Sequence, residues 1–200
     1  DLVEQLAADP DLLTLGGETK EMTILFSDIR GFTQISESMN ATELTSFINE
    51  YLTPMTDIIL QNRGTIDKYM GDCIMAFWNA PLDVEDHARK ATAAALEMRE
   101  ALEELNNVLR NEGSPEIHTG VGINTGLCVV GNMGSSSRFD YSVLGDAVNL
   151  AERIESSCKQ YNTDLIISAH SMVEGYNYDF IDEVTVKGKT EPVKIYTIQK

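Results

Sequence analysis

Apolar residues recur along this chain with two different periods, and the period separates predicted helices from predicted strands. Residues 42–59 repeat apolar side chains every three or four positions, which is typical of an amphipathic helix. Pro54 lies inside this segment, so we expect a kink or a break there, and Gly64 marks its end. Residues 86–110 and 145–159 predict two further amphipathic helices.

Short apolar runs bounded by glycine and polar residues predict the strands. They cover residues 21–27, 65–69, 73–78, 117–124, 127–131, 139–144, 165–168, 178–186 and 193–198. The second and third are expected to form a tight hairpin across residues 70–72. The fourth and fifth are expected to form a hairpin across Thr125 and Gly126, followed by a flexible loop over residues 131–137. This order predicts an α+β fold, with a ferredoxin-like βαββαβ sheet, packed helices and a C-terminal hairpin.

The first twenty residues have a different pattern from the rest. Short leucine clusters lie on either side of Pro10 and end at Gly16 and Gly17. We therefore expect residues 1–20 to form a linker or tether helix and residues 21–200 to form one domain, which is long enough for a sizeable core. Since the chain begins with aspartate rather than methionine, we expect it to be a piece of a longer protein with a regulatory domain upstream.

Charge and cysteine content disfavour several classes of protein. The net charge of −17 argues against general binding of nucleic acid or anionic membrane, since both need clustered lysine and arginine. A polyphosphate site on this chain must therefore be locally basic or loaded with metal. The three cysteines contain no CxxC pair, which argues against a disulfide framework or a zinc site and favours the cytoplasm. No apolar run approaches ~18 residues, so any membrane tether is expected elsewhere in a longer protein.

Two aspartates mark the first candidate site. Asp28 follows an apolar strand directly, and Asp72 lies in the turn of the first predicted hairpin. A carboxylate in such apolar surroundings costs free energy unless it is paired or bound to a metal. Two carboxylates on separate strands are suitable ligands for Mg²⁺, with substrate phosphates completing the octahedron. The pattern therefore predicts two-metal displacement at phosphorus.

Three further features can bind the rest of a nucleotide. The turn at Phe32 and Thr33 can present backbone amides to a triphosphate, or it can be a simple corner between a strand and a helix. Lys68 is the only cation of its apolar hairpin, and it can donate to a purine or remain a solvated lysine. Asn149 and Arg153 share one helix face, where they can contact ribose and phosphate or form a local surface pair. The residues alone leave these alternatives open.

Two glycine motifs fail as nucleotide-binding loops. Residues 187–190 read Lys-Gly-Lys-Thr, but glutamate stands where a P-loop needs its first glycine, and a strand follows rather than a helix. Residues 120–126 miss the GxGxxG spacing by one position. The three histidines are isolated in the sequence, so no nucleophile–histidine–acid set is evident.

Four segments together resemble the catalytic domain of the class III nucleotidyl cyclases. They are residues 26–33 (FSDIRGFT), 68–72 (KYMGD), 141–153 (YSVLGDAVNLAER) and 186–189 (VKGK). The resemblance covers about residues 20–199 in the expected order, and it is strongest to bacterial adenylyl cyclases of the cyanobacterial and soluble types.

The resemblance implies a role for each matching residue. Asp28 and Asp72 bind two Mg²⁺ or Mn²⁺ ions, with the backbone carbonyl of Ile29 assisting. The remaining roles are purine recognition, ribose orientation, transition-state stabilisation and contact with the phosphate tail. Purine recognition is assigned to Lys68 and Ser142, ribose orientation to Asn149, and transition-state stabilisation to Arg153. Contact with the phosphate tail is assigned to Lys187 and to the amides of Phe32 and Thr33.

The purine pair implies the substrate. In this family, adenylyl cyclases usually carry lysine followed by aspartate or threonine at the two purine positions, whereas guanylyl cyclases typically carry glutamate and cysteine. Lys68 with Ser142 therefore resembles the ATP-specific arrangement, in which a hydroxyl can accept the adenine amino hydrogen. The implied reaction converts ATP to 3′,5′-cyclic AMP and pyrophosphate for intracellular signalling. Activation by bicarbonate is a hypothesis that depends on the same resemblance.

The resemblance also implies a head-to-tail homodimer with two sites at its interface. One subunit supplies the metal aspartates, and the other supplies Lys68, Ser142, Asn149 and Arg153. The alternatives are a guanylate cyclase and a non-catalytic nucleotide sensor, although a sensor normally lacks one of these side chains.

Two related folds are disfavoured. A diguanylate cyclase needs a Gly-Gly-Asp/Glu-Glu-Phe hairpin, whereas here Gly16-Gly17-Glu18 precedes Thr19 and Lys20 and lies before the first core strand. A polymerase palm is disfavoured by the missing basic groove. The sequence leaves open whether Arg138 or Lys189 contacts phosphate.

Overall fold

The computed structural model describes residues 15–185 and 191–199, and these residues form one eight-stranded sheet with helices on both faces. The sheet order is β2-β3-β1-β4-β6-β8-β7, with β5 paired to β4 outside this path, and only the β4–β6 pairing of the described strands is parallel. The strands are β1 (Gly16–Ile29), β2 (Thr65–Met70), β3 (Cys73–Trp78), β4 (Thr119–Ser135), β5 (Arg138–Leu144), β6 (Leu165–Ser168), β7 (Tyr178–Val184) and β8 (Val193–Ile198).

Within the described ranges, four α-helices lie between these strands. They are α1 (Phe32–Glu37), α2 (Ala41–Gln61), α3 (His87–Asn111) and α4 (Asp146–Ser157). The two long helices α2 and α3 pack together on one face of the sheet, and α4 packs on the other face. None of the helices in the described ranges is long and apolar enough to cross a membrane.

The alternation of side chains along β1 decides which face carries the candidate chemistry. Leu25 and Ile29 join the core beneath α2 and α3, whereas Ile24 and Phe26 join the core beneath α4. Because successive side chains of a strand point to opposite faces, Asp28 lies on the α4 face. The strand therefore brings its terminal carboxylate towards the helix that carries the other candidate residues.

A row of glycines in β4 lets α4 approach the sheet closely. A Cβ atom at Gly122 would lie 2.4 Å from the backbone nitrogen of Glu155, and one at Gly126 would lie 2.9 Å from Cβ of Ala147. Gly120 continues the row at the end of β4 that pairs with the end of β1. Any larger residue at Gly122 would push α4 outwards, so the backbone of β4 sets the position of the helix.

The predicted hairpin across Thr125 and Gly126 is wrong. Both residues lie inside the continuous strand β4, which also extends through most of the segment expected to be a flexible loop, and the chain turns only at residues 136–137. Glycine was interpreted as a local turn signal, but in β4 it serves a long-range contact with α4.

The boundary of the predicted tether also differs. Residues 16–20 form the first part of β1 and pair with β4, with Gly16 opposite Asn132 and Lys20 opposite Cys128. They therefore belong to the sheet, because the outgoing half of β4 provides them with backbone partners. The rest of the predicted tether, residues 1–14, lies outside the described residues.

Most other elements follow the sequence prediction. The α+β order is confirmed, and strands β6 and β8 have the expected bounds. The sequence predicted a kink or a break at Pro54, and no break occurs, because helix α2 is continuous over Ala41–Gln61. Its N-terminus is closed by a capping box, in which Asn40 accepts from the Glu43 amide and the Glu43 carboxylate accepts from the Asn40 amide, both at 3.0 Å.

Candidate active site

The two aspartates predicted to bind metal are brought together by strand pairing. Strand β1 runs antiparallel to β3, with Ser27 opposite Ile74, so the end of β1 meets the turn between β2 and β3. The backbone amide of Ile29 donates to Oδ2 of Asp72 over 3.0 Å. Gly71 adopts φ of 64°, which suits glycine and lets the turn present Asp72 to β1. The structure thus places Asp28 and Asp72 beside each other, and their role as metal ligands stays a prediction.

The electrostatics of this pair favour a cationic ligand. Burial raises the pKa of Asp28 to about 7, and the hydrogen bond and negative charge of Asp72 act in the same direction. Two neighbouring carboxylates resist joint ionisation unless a positive charge is close. Within the described ranges no group of three or more histidine, cysteine, aspartate or glutamate side chains is arranged to hold a metal. The two carboxylates fit a divalent cation whose other ligands are backbone, water and substrate oxygens.

A third carboxylate near this pair was missed in the sequence. Glu155 of α4 faces the sheet beside Gly120 and Gly122, and its charge contributes to the raised pKa of Asp28. Burial raises the pKa of Glu155 itself to about 7, although a hydrogen bond from Ser156 and the charge of Arg30 oppose the shift. Helix periodicity could have revealed it, since Glu155 lies four residues after Ala151 on the inner face.

The two predicted purine contacts, Lys68 and Ser142, are joined through a third residue. The Ser142 hydroxyl donates to Oδ2 of Asp67 over 2.7 Å, and Nζ of Lys68 lies 3.6 Å from Oδ1 of the same carboxylate. The Asp67 side chain is only 1% exposed, whereas that of Lys68 is 49% exposed. Lys68 and Ser142 are therefore neighbours within one chain. Asp67 was missed although the rule applied to Asp28, a carboxylate in an apolar strand, also applies to it.

Asn149 and Arg153 lie on the exposed face of α4. Nη1 of Arg153 donates to the carbonyl of Thr185 over 2.5 Å, which connects the helix to the chain just after β7. In the described part of the chain, neither residue forms a hydrogen bond or ion pair with Asp28 or Asp72. Among the described residues of one chain, Asn149 and Arg153 are therefore not bonded to the two aspartates.

The predicted phosphate contacts are placed only in part. Phe32 and Thr33 open the short helix α1, and the carbonyl of Gly31 accepts from the amides that follow them. Their own amides precede the first intrahelical bond, so they can donate elsewhere. Lys187 and Lys189 lie outside the described residues, and the structure gives no account of them.

Comparison with known proteins shows the family. The family model for the adenylate and guanylate cyclase catalytic domain matches residues 16–200, so the chain belongs to this family. An adenylate cyclase from Anabaena cylindrica is 40% identical over 191 residues, and adenylate cyclase 1 of Rhizobium meliloti is 34% identical over 182 residues. Each alignment covers 90% of this chain but only 37% and 27% of the respective relatives, so the chain spans about a third of their length.

Solved structures agree with this assignment. The adenylyl cyclase CyaB from P. aeruginosa superposes with a TM-score of 0.84 at 36% identity, covering 93% of this chain and 97% of that one. The guanylyl cyclase Cya2 superposes with a TM-score of 0.83 at 39% identity, covering 92% of this chain and 94% of that one. The fold is therefore that of the cyclase catalytic domains, and both substrate classes occur among its similar structures.

Proposed function

We propose that this domain is an adenylate cyclase, which converts ATP to 3′,5′-cyclic AMP and pyrophosphate in the cytoplasm. The observation that carries the proposal is the meeting of Asp28 and Asp72 at the end of β1, where burial and then the hydrogen bond and charge of Asp72 raise the pKa of Asp28. The adenylate cyclases of Anabaena and Rhizobium among the relatives support the choice of reaction.

The aspartates and the backbone carbonyl of Ile29 would hold two Mg²⁺ or Mn²⁺ ions. When bound, the cations lower the pKa of the ribose 3′-hydroxyl and neutralise the phosphates. Asp28 and Asp72 would fix the position of the bound cations relative to the end of β1. The conformation of Gly71 and the amide of Ile29 hold Asp72 in this orientation.

The remaining residues bind and orient the nucleotide. Lys68 and Ser142 contact the purine, Asn149 orients the ribose, and Arg153 stabilises charge that develops on the phosphoryl group. The amides of Phe32 and Thr33, together with Lys187, hold the phosphate tail, and the 3′-hydroxyl attacks the α-phosphorus in line.

The active unit in this proposal is a head-to-tail homodimer. Within one chain Arg153 donates to the Thr185 carbonyl and to neither aspartate, which supports a shared site. A second support is an apolar patch on the β4–β5 hairpin, where Val129 pairs with Leu144. Leu127, Val129 and Leu144 are 69%, 45% and 60% exposed, which favours burial against a second copy.

The first experiment measures cyclic products from ATP and GTP, with Mg²⁺ and with Mn²⁺. We expect cyclic AMP from ATP, with loss of the product in Asp72→Ala and retention in Asp179→Ala, which removes an exposed carboxylate from β7. No cyclic product from a demonstrably dimeric protein would contradict the proposal and favour a nucleotide sensor.

The shared site is tested by mixing inactive variants. Asp28→Ala and Asn149→Ala should each lose activity, and a heterodimer of the two should recover part of it because one of its two sites is intact. Verified heterodimers without recovery would contradict the shared site.

A guanylate cyclase is the second candidate, because the guanylyl cyclase Cya2 is as similar to this chain as CyaB is. Cyclic GMP as the main product would establish it and leave the proposed roles of the two aspartates unchanged.

Regulation forms a separate proposal. Residues 1–14 would connect the domain to an upstream regulatory domain. Bicarbonate would activate the cyclase activity of the domain itself. A constant rate across a bicarbonate titration at fixed pH would remove the bicarbonate hypothesis.

A further inference from the structure

We propose that Asp67 is a positioning residue that sets purine selectivity, because it fixes the Ser142 hydroxyl as a hydrogen-bond acceptor towards the base. The ligand class selected in this way is a purine nucleotide with a 6-amino group. This inference depends on the proposed purine roles of Lys68 and Ser142.

A β-bulge places the Asp67 carboxylate between these two side chains. Ile66 of β2 lies opposite Ala76 of β3, and Lys68 lies opposite Met75, so Asp67 is the extra residue of the pairing. A bulge changes the direction of a side chain within a strand and is frequent beside active sites. Here it removes Asp67 from solvent, while the neighbouring Lys68 remains half exposed.

The hydrogen bond from Ser142 to Asp67 uses the only hydroxyl hydrogen that Ser142 has. A serine hydroxyl has one hydrogen and two lone pairs, and an ionised carboxylate can only accept. Since the hydrogen lies on the 2.7 Å contact to Oδ2 of Asp67, Ser142 can only accept from a ligand. The ammonium of Lys68 stabilises the ionised form of Asp67 and keeps hydrogens that can be donated to the base.

The burial of Asp67 makes it depend on these two partners. Burial raises its pKa, and the hydrogen bond from Ser142 and the charge of Lys68 act against that shift. A buried carboxylate without such partners would be costly. The three side chains therefore form a unit in which each stabilises the state of the others.

This unit complements adenine and not guanine. Adenine presents the N1 acceptor beside a 6-amino donor, which match a donor on Lys68 and an acceptor on Ser142. Guanine presents an N1–H donor beside a 6-oxo acceptor, so the Ser142 lone pairs would face another acceptor. A polar site rejects a ligand that leaves its groups unpaired far more strongly than an apolar site rejects a change of size.

The decisive variant is Asp67→Asn, which keeps the shape of the side chain. Its amide group can donate to Ser142 and release the hydroxyl hydrogen towards the base. We expect the ratio of kcat/KM for ATP to that for GTP to fall about 10- to 100-fold, the range for a hydrogen bond to a charged group. Asp140→Asn is the matched control, since it removes an exposed carboxylate two residues before Ser142, and it should change the ratio by less than about twofold.

A double-mutant cycle tests whether Asp67 acts through Ser142. In the background of Ser142→Ala, the change from Asp67 to Asn should leave the ATP/GTP ratio unaltered, while Ser142→Thr should preserve the wild-type ratio. Inosine triphosphate carries the same 6-oxo group as GTP without its 2-amino group, so it should gain as much as GTP in Asp67→Asn. An unchanged ratio in Asp67→Asn, or an equal change with and without Ser142, would overturn the inference.

Equilibrium binding separates this inference from the proposed function. If the wild type makes no cyclic product, the proposed function fails, but the relative affinities for ATP and GTP still test Asp67. Binding to the wild type also tests the inference when Asp67→Asn does not fold. Affinity should decrease in the order ATP, purine riboside triphosphate, inosine triphosphate. Equal affinity for ATP and inosine triphosphate would contradict the inference.

Discussion

Asp28 and Asp67 are both aspartates of apolar strands, but their surroundings are opposite. Asp67 accepts a hydrogen bond from Ser142 and is paired with Lys68, so its partners come from its own chain. Asp28 instead faces Asp72, and burial together with this neighbour raises its pKa to about 7. A carboxylate supplied with partners acts as part of the structure, whereas one set against another carboxylate requires a cation from outside the chain. This difference supports the proposed roles of Asp67 as a positioning residue and of Asp28 as a metal ligand.

The largest expected effect comes from breaking the carboxylate pair. Asp72→Asn should lower cyclase activity by at least about 10³-fold, more than the loss of one hydrogen-bond donor, because it removes charge from a metal site. The same change should leave the free energy of unfolding without divalent cations unchanged or raise it, since a repulsive neighbour of Asp28 is removed. Activity assays and urea titrations at equal protein concentration check both parts. A large loss of stability would contradict the contrast drawn with Asp67.

Arg153 provides the next largest effect. Arg153→Ala should lower kcat by about 10²–10³-fold, by analogy with the loss of a transition-state donor. Among the described residues its guanidinium donates to the Thr185 carbonyl at the surface, so the melting temperature should change little. Glu152→Ala alters the adjacent exposed position and serves as the control. Equal losses in both variants would assign the effect to the helix rather than to the guanidinium.

Loss of the Asp67 carboxylate should lower the free energy of unfolding, whereas loss of the Asp72 carboxylate should not. Asp67→Ala removes the buried partner of Ser142 and the ion pair of Lys68, so the free energy of unfolding should fall by about 1–3 kcal/mol. Urea titration of the metal-free protein measures it. A loss no larger than that of Asp140→Ala would show that Ser142 and Lys68 do not depend on this carboxylate.

The smallest effect concerns Glu155 and pH. Its folded-state pKa is raised from 4.5 to about 7, so the protonated form favours folding, and this stability is lost as pH rises from about 4.5 to 7. Glu155→Gln imitates the protonated form. Its melting temperature should equal that of the wild type near pH 4.5 and exceed it near pH 8. A constant difference across this range would contradict the raised pKa.

The sequence predicted residues whose role depends on their local position. Asp28 and Asp72 each stand where an apolar strand meets a turn, and that signal is complete within about ten residues of chain. Asp67 was missed because its role depends on a bulge in β2 and on a hydroxyl 75 residues away, neither of which has a local signal.

The error in β4 has the same physical origin. Gly126 was interpreted as a turn former, although α4 packs closely against it, as it does against Gly122. The apolar periods identified α4 and its buried face, but periodicity does not say which strand the helix will contact. The placement of Lys187 stays a prediction, because it lies outside the described residues.

The close approach of α4 to β4 has a mechanical consequence. At Gly122 the backbone of α4 packs directly on the backbone of β4, because a Cβ atom there would lie only 2.4 Å from the backbone nitrogen of Glu155. No flexible side chain lies between the two backbones at this point to absorb a displacement. Strand and helix therefore move together, and a change in the twist of β4 would displace Asn149 and Arg153 by a similar amount. A second copy that bound the exposed apolar end of the β4–β5 hairpin would therefore also influence the position of α4, the helix that carries Asn149 and Arg153.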